Sequence, residues 1–294
     1  MKLTVSTAAC ALGALLAALP VSANFEYGLP WAAPNDWAPS MTSKTISWYH
    51  HWEMGRVPTI RSEVEYVPTY WGPEKKTDWI ARKIEIAANK PRHILAFNEP
   101  DIKGQANMSP DDAVHEFMKE LQPYAEDGIR VSSPQMVYNM AWLNEFMEKC
   151  QDAGCDVSFI ALHWYGGPND LGAFKKWVSG VHDKFQKPIW ITEFGLTNDS
   201  NPSDDQVNQF MEEVITWMSQ QDYIERAAWN GCYDINNPPD EYATPRNAFF
   251  VNSGSHRTTA ITWLAGVGNS NLLFAEKKHK NNHKRMQRLR SKNM

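Results

Sequence analysis

The sequence predicts one α/β domain, a (β/α)8 barrel of the triosephosphate-isomerase type with a short, irregular first crossover. Three observations predict it. Apolar runs that read as buried strands alternate with amphipathic helical stripes, which implies a parallel sheet. Eight such runs fall within about 250 residues, the length that a closed barrel of eight units needs. Two of the runs end on a glutamate, and barrel strands present their functional side chains at their C-terminal ends.

The strand runs, in order, are Tyr27–Trp31, Thr45–Tyr49, Val64–Tyr70, His93–Phe97, Ile129–Ser133, Val157–His163, Ile189–Thr192 and Arg226–Asn230. The first crossover, Ala32–Lys44, carries Pro34, Trp37 and Pro39 and is too short for a full helix. Trp79, Lys83, Ile84, Ala87 and Ala88 suggest the first long helix. Ser109-Pro110-Asp111-Asp112 supplies a cap, a proline at the first position and acids on the helix dipole. The stripe behind it is Ala113, Val114, Phe117, Met118 and Leu121. Trp142, Leu143, Phe146 and Met147 make another stripe, and Phe174, Trp177, Val178, Val181 and Phe185 a third. Ser203 with Gln206 reads as a capping box before Val207, Phe210, Met211, Val214 and Ile215.

The ends of the chain read differently from its body. Residues 1–23 have a basic start, an apolar run and the small-residue stretch Val21-Ser22-Ala23, the pattern of an export signal. The folded domain is expected over residues 24–274. Residues 275–294 hold eight Lys/Arg and one acid, and are expected to form a disordered basic tail. The domain between carries 20 Lys/Arg against 33 Asp/Glu, a net charge of −13. An acidic body argues against nucleic acid as the partner. No second long apolar run follows the first, so no membrane span is expected in the domain. Export changes the reading of the cysteines. Cys150 and Cys155 are close enough in sequence to pair in an oxidising compartment, which leaves Cys232 odd. Asn107-Met108-Ser109 and Asn198-Asp199-Ser200 are glycosylation sequons at Asn107 and Asn198.

The chemistry is concentrated in two stretches. His93-Ile94-Leu95-Ala96-Phe97-Asn98-Glu99-Pro100 climbs through apolar residues and stops at a proline, leaving Glu99 at a strand end. Pro188-Ile189-Trp190-Ile191-Thr192-Glu193 repeats the design. Counting strands puts Glu99 on the fourth and Glu193 on the seventh, both opening on one face. Paired carboxylates on one cleft are what glycoside hydrolysis requires. Residues two apart on a strand share a face, so His163 and Tyr165 should both point into the barrel mouth. Thirteen Trp and ten Tyr are many for 294 residues. They can fill the core, or form flat walls for the C–H faces of sugar rings.

Asn98-Glu99-Pro100 and the strand-end Glu193 look like the large clan of retaining barrel glycosidases. Ala96-Phe97-Asn98-Glu99-Pro100-Asp101, Ala161-Leu162-His163-Trp164-Tyr165-Gly166 and Trp190-Ile191-Thr192-Glu193-Phe194-Gly195 together resemble glycoside hydrolase family 128. The likeness runs from about Tyr27 to about Asn252. That family comprises secreted β-1,3-glucanases and related fungal cell-wall proteins of the alkali-sensitive-linkage type. The resemblance implies Glu99 as acid/base, Glu193 as nucleophile and Asn98 as a ligand of the sugar 2-hydroxyl. It leaves Tyr165 to orient Glu193 and His163 to steady either carboxylate. Trp48, Tyr49, Trp52, Trp71, Trp164 and Trp229 are the candidate sugar contacts. The chain departs from the family pattern at His50-His51 and at Asn230.

The expected function is therefore a secreted endo-β-1,3-glucanase that is cell-wall associated, works as a monomer on β-glucan and needs no metal or organic cofactor. Two alternatives stay open: a non-hydrolytic β-glucan-binding wall protein on the same barrel, and a glycosidase of β-1,4- or β-1,6-glucan. His115-Glu116-Phe117-Met118-Lys119 lacks the second histidine of a zinc protease, and no Gly-x-Ser-x-Gly elbow or dinucleotide loop is present.

Overall fold

The computed structural model describes residues 25–52 and 55–266. The export signal expected over residues 1–23 and the basic tail expected over residues 275–294 lie outside them. Eight parallel strands form the frame: β1 (Glu26–Pro30), β2 (Ile46–His50), β3 (Glu65–Val67), β4 (His93–Ile94), β5 (Arg130–Val131), β6 (Ile160–Gly166), β7 (Ile189–Leu196) and β8 (Ile224–Trp229). Six of them make one sheet in the order β3-β2-β1-β8-β7-β6, and β4 pairs with β5. Isolated parallel bridges join the two groups. Thr69 bridges to Leu95, and Ser132 and Met136 bridge to Phe159 and Leu162. The strands thus follow one another in sequence order around a closed ring.

The ladders are short where proline interrupts them. The run expected to reach Tyr70 stops as regular strand at Val67, because Pro68 has no N–H to donate. Pro68 still accepts from Leu95 N–H at 2.9 Å, which continues the ring as a single bridge. The fifth strand is regular only over Arg130–Val131, and around Pro134 it goes on as isolated bridges at Ser132, Gln135 and Met136. A two-stranded antiparallel hairpin, β9 (Phe250–Val251) with β10 (Ser255–His256), follows the eighth strand. The sequence reading did not anticipate it.

Helices wrap the outside. The first crossover is one 3-10 turn (Asn35–Trp37) and one α-helical turn, α1 (Ala38–Met41), as the prolines there require. Then come α2 (Lys76–Ala88), α3 (Pro110–Glu120), α4 (Gln122–Glu126), α5 (Met140–Ala153), α6 (Leu171–Phe185), α7 (Asp204–Met218) and α8 (Thr258–Ala265). Ser109 Oγ accepts from Asp112 N–H to cap α3, and Ser203 and Gln206 form the full capping box of α7. On α2 the buried stripe is Trp79, Arg82 and Ile86, and Ile84 turns out to face solvent. Gly154, at φ +80°, ends α5 in the left-handed conformation, so Cys155 N–H reaches back to Cys150 carbonyl at 2.8 Å. That reversal brings the Cα atoms of Cys150 and Cys155 to 5.0 Å, and the two form a disulfide. Cys232 is a buried free thiol. Among the described residues no helix is long and apolar enough to cross a membrane.

The barrel interior is layered. At the N-terminal end of the strands Glu65 accepts from His93 Nδ1 at 2.8 Å and pairs with Arg226 at 2.8 Å. Above this charged layer lie Trp48, Val67, Leu95, Phe159, Ala161, Trp190 and Ala228, all fully buried. Above them is a polar layer of His50, Gln135, His163 and Thr192, and then the mouth. Burial raises the pKa of Glu65, but its bonds to His93 and Arg226 outweigh that and hold it at about 2.

Glu65→Gln leaves the Arg226 side chain, only 4% exposed, with no buried counter-charge, and is expected to cost about 3–5 kcal/mol at neutral pH. The Glu65 pKa is depressed, so its stabilisation is full above the ordinary carboxylate range and is lost as pH falls toward 2. Urea unfolding should therefore show the gap between wild type and variant shrinking from pH 5 to pH 2. An unchanged gap would refute the assignment.

Candidate active site

Backbone geometry delivers both glutamates to the mouth. Glu99 follows β4, with its N–H donated to Gln135 carbonyl at 3.0 Å. The next residue is Pro100, which disfavours the right-handed helical region for Glu99. Glu99 sits instead at φ +46°, in the left-handed region. The loop around it holds that conformation: Ala106 N–H bonds Asn98 carbonyl and Met108 N–H bonds Pro100 carbonyl. Such a backbone costs on the order of 1–3 kcal/mol and persists where surrounding bonds over-determine it.

Glu193 uses a different device. Strand β7 runs on to Leu196, past the expected end at Thr192. Its register slips against β6 between Leu162 and His163, and against β8 between Ile191 and Phe194. One extra residue is accommodated at Thr192–Glu193, a β-bulge. Two consecutive side chains then serve the interior. Thr192 Oγ1 donates to Gln135 Oε1 at 2.9 Å, while Glu193 enters the mouth.

The two carboxylates and His163 form one cluster, with an oxygen of each glutamate and His163 Nδ1 all within 4.8 Å of one another. His163 Nδ1 lies 2.7 Å from Glu99 Oε1 and 3.7 Å from Glu193 Oε2. Tyr165 O–H donates to Glu193 Oε1, and Asn230 Nδ2 donates to the Tyr165 oxygen. Asn230 Nδ2 also lies 3.4 Å from Glu193 Oε1, and Trp52 Nε1 donates to Glu193 Oε2 at 3.1 Å. Burial raises the pKa of Glu193, and Glu99 adds to this; His163, Tyr165 and Trp52 oppose it without cancelling it. Burial pushes His163 down, but Glu193 and Glu99 outweigh it and leave the imidazole raised. Its raised pKa means that its favourable charge is fully present below the ordinary histidine range and is lost as pH climbs through the raised value. Among the described residues these three are the group with metal-ligand spacing, yet His163 Nδ1 is already committed to Glu99.

A cleft crosses this cluster. On one side a cavity of about 650 Å³ is lined by residues that include His51, Trp52, Trp71, Asn98 and Asn230. On the other, a cavity of about 330 Å³ is lined by residues that include Val137, Tyr138, Tyr165 and Tyr242. Glu99, Gln105, Glu193 and Asp240 line both. A larger cavity of about 830 Å³ lies at the opposite end of the barrel, among ion-paired residues such as Arg226, and carries no catalytic group.

The geometry brings together Glu99, Glu193, Asn98, His163, Tyr165, Trp52 and Trp71. The Asn98 side chain donates through Nδ2 to Gln105 Oε1 at 3.0 Å, and its Oδ1 has no protein partner. Trp52 serves as a hydrogen-bond donor to Glu193. Trp71 lines the cleft with Lys75 Nζ 4.4 Å from its ring centre. Four expected sugar contacts lie elsewhere. Trp48 points down the barrel, packs at a tilt against Trp190 and is fully buried. Tyr49 faces outward, where its hydroxyl accepts from Val57 N–H. Trp164 packs between Phe174 and Phe210 of the helical shell. Trp229 is fully buried and donates to Asn247 carbonyl. The exposed Tyr138 and Tyr242, missed in the sequence, take the rim instead. Asn107 and Asn198, the sequon residues, are both exposed.

Residues 28–263 match the family model described as the glycosyl hydrolase catalytic core. The chain belongs to this family. A family 128 subgroup III curdlan-specific exo-β-1,3-glucanase from Blastomyces gilchristii, solved with glucose, is 27% identical with a TM-score of 0.68, over 82% of this chain and 98% of that one. A subgroup I endo-β-1,3-glucanase from Amycolatopsis mediterranei, solved with laminaritriose, is 26% identical with a TM-score of 0.69, again over 82% and 98%. Alkali-sensitive linkage protein 1 of Schizosaccharomyces pombe is 29% identical over 218 residues, 71% of this chain; the chain spans only 39% of that relative's length. These neighbours bear out the family 128 resemblance. Glu99 and Glu193 stand across one cleft, the arrangement of two carboxylates that glycoside hydrolysis requires.

Because burial raises Glu193, the acidic limb of the kcat/KM profile should lie above the ordinary carboxylate range. Tyr165→Phe removes a donor that favours the charged form, so it should move that limb further up in pH and lower kcat/KM by about 10²-fold. A limb that stays fixed would show that Tyr165 does not act through Glu193.

Proposed function

We propose that this protein is a retaining endo-β-1,3-glucanase. The observation that carries this reading is the spacing of Glu99 and Glu193. Oxygens within 4.8 Å suit a retaining pair, whose carboxyls stand about 5–5.5 Å apart, and leave no room for the water that inversion places between them.

In the first half-reaction Glu193 attacks the anomeric carbon while Glu99 gives its proton to the glycosidic oxygen. The carbon–oxygen bond to the departing chain breaks as the bond to Glu193 forms. In the second, Glu99 takes a proton from water, whose oxygen attacks the same carbon and releases Glu193. Trp52, Tyr165 and Asn230 hold Glu193 in line for attack. The unpartnered oxygen of Asn98 is the acceptor for the sugar 2-hydroxyl.

The β-1,3 linkage is supported by the solved neighbours, glucanases of that linkage, including one bound to laminaritriose. Internal cleavage is favoured because the cleft continues on both sides of the carboxylates. The protein acts on wall β-glucan outside the cell, a reading supported by the resemblance to a fungal linkage protein and by the export-type start of the sequence.

The purified chain should hydrolyse linear β-1,3-glucan to a ladder of oligosaccharides whose first-formed anomer is β, followed by proton NMR. Glu99→Gln and Glu193→Gln should each lower turnover by at least about 10⁴-fold while the thermal melt stays cooperative. Glucan binding with no product at long incubation would replace this reading with a binding protein. A faster initial rate on β-1,4- or β-1,6-glucan would change the substrate.

A further inference from the structure

Gln135 lies beneath the catalytic cluster, fully buried, just beyond β5. Its Nε2 donates to Ala96 carbonyl at 2.9 Å, and its Oε1 accepts from Thr192 Oγ1 at 2.9 Å. A flipped amide would set two carbonyl oxygens against each other at Ala96, so the orientation is fixed. The same Oε1 faces His163 Nε2 at 3.4 Å. An amide oxygen only accepts, so a hydrogen bond here needs the hydrogen on Nε2 of His163. The other ring nitrogen, Nδ1, faces Glu99 Oε1 at 2.7 Å. With Nε2–H fixed, that short contact requires one further proton, either on Nδ1 or on Glu99.

We propose that Gln135 is a positioning residue, which fixes the protonated nitrogen of His163 and thereby keeps one exchangeable proton between His163 and Glu99. This rests on Glu99 being the acid/base of the proposed glucanase. Without Gln135, a neutral His163 could place its single hydrogen on Nδ1, donate it to the Glu99 carboxylate and satisfy the contact with no exchangeable proton. Gln135 denies that arrangement. When Glu99 gives its proton to the glycosidic oxygen, the new carboxylate faces a bare Nδ1, two acceptors in opposition. The pair then takes a proton back from the incoming water, whose oxygen bonds the anomeric carbon as Glu193 leaves. One proton goes out in the first half-reaction and one returns in the second. The charged and titratable groups facing His163 are Glu99 and Asp101 after β4, Glu193 on β7 and His50 on β2; Tyr165 on β6 faces it through Glu193. His50 is held near 3 by burial, against its bond to the Thr192 carbonyl, and stays neutral through the working range. The elements carrying Gln135 and Asn230 contribute neutral amides.

The test is nitrogen-15 NMR of the histidine rings in the full chain without substrate, with His163 assigned by the signal lost in His163→Gln. Wild type should show a protonated Nε2 across the pH range in which it is folded. Gln135→Met, close in volume but with no acceptor, should move the hydrogen to Nδ1. In the same variant the basic limb of the kcat/KM profile should fall by about one pH unit, the loss of one hydrogen bond to the protonated ring. A bare Nε2 in wild type overturns the proposal, even if Gln135→Met does not fold. So does a variant that keeps both its Nε2–H signal and its basic limb while only kcat drops. If no β-glucan is hydrolysed, the functional reading falls, whereas the ring-nitrogen spectra still decide whether Gln135 sets the tautomer.

Discussion

Two carboxylates cannot stand within 4.8 Å of each other, shielded from water, unless a proton or a positive group relieves them. Here His163, fully buried and 2.7 Å from Glu99, supplies a second place for that proton. Much of the upper barrel follows from that requirement. The donors around Glu193 share the task of holding its charge, and the polar layer below serves to hold His163. Removing any one member would leave the others with unmatched charge in a low-dielectric place, where it is most costly.

The backbone bears its share. Glu99 is held at a positive φ by a loop that closes over it, and Glu193 is turned inward by the extra residue in β7. One glutamate is aimed by a strained single residue and the other by a register shift. Both devices fix direction through the backbone, and the oxygens so placed are met by His163, Tyr165, Asn230 and Trp52.

The barrel was legible because its signals are periodic. Eight apolar runs, the caps at Ser109 and Ser203 and the irregular first crossover appear where the pattern puts them. The two glutamates, His163 and Tyr165 were legible from strand ends and the period of two. Parity also misled. Trp48 shares its face with His50 and so goes into the barrel, while Trp164 and Tyr49 fall on the outward face. A strand-end aromatic does not announce which way it points. Asn230 stood out as a departure, and the structure makes it a partner of Tyr165. Gln135 gave no signal, because a neutral amide in Ser-Ser-Pro-Gln carries neither charge nor period. Its importance comes from three bonds to residues distant in sequence.

The layer of Trp48, Phe159 and Trp190 lies between the ion-paired floor and the mouth. Charges above and below it are separated by packed rings instead of water, so each end of the barrel titrates within its own environment. The floor is therefore an engineering handle: its ion pairs can be exchanged for others, to suit acid or heat, while the proton inventory of the upper cluster is left as it is.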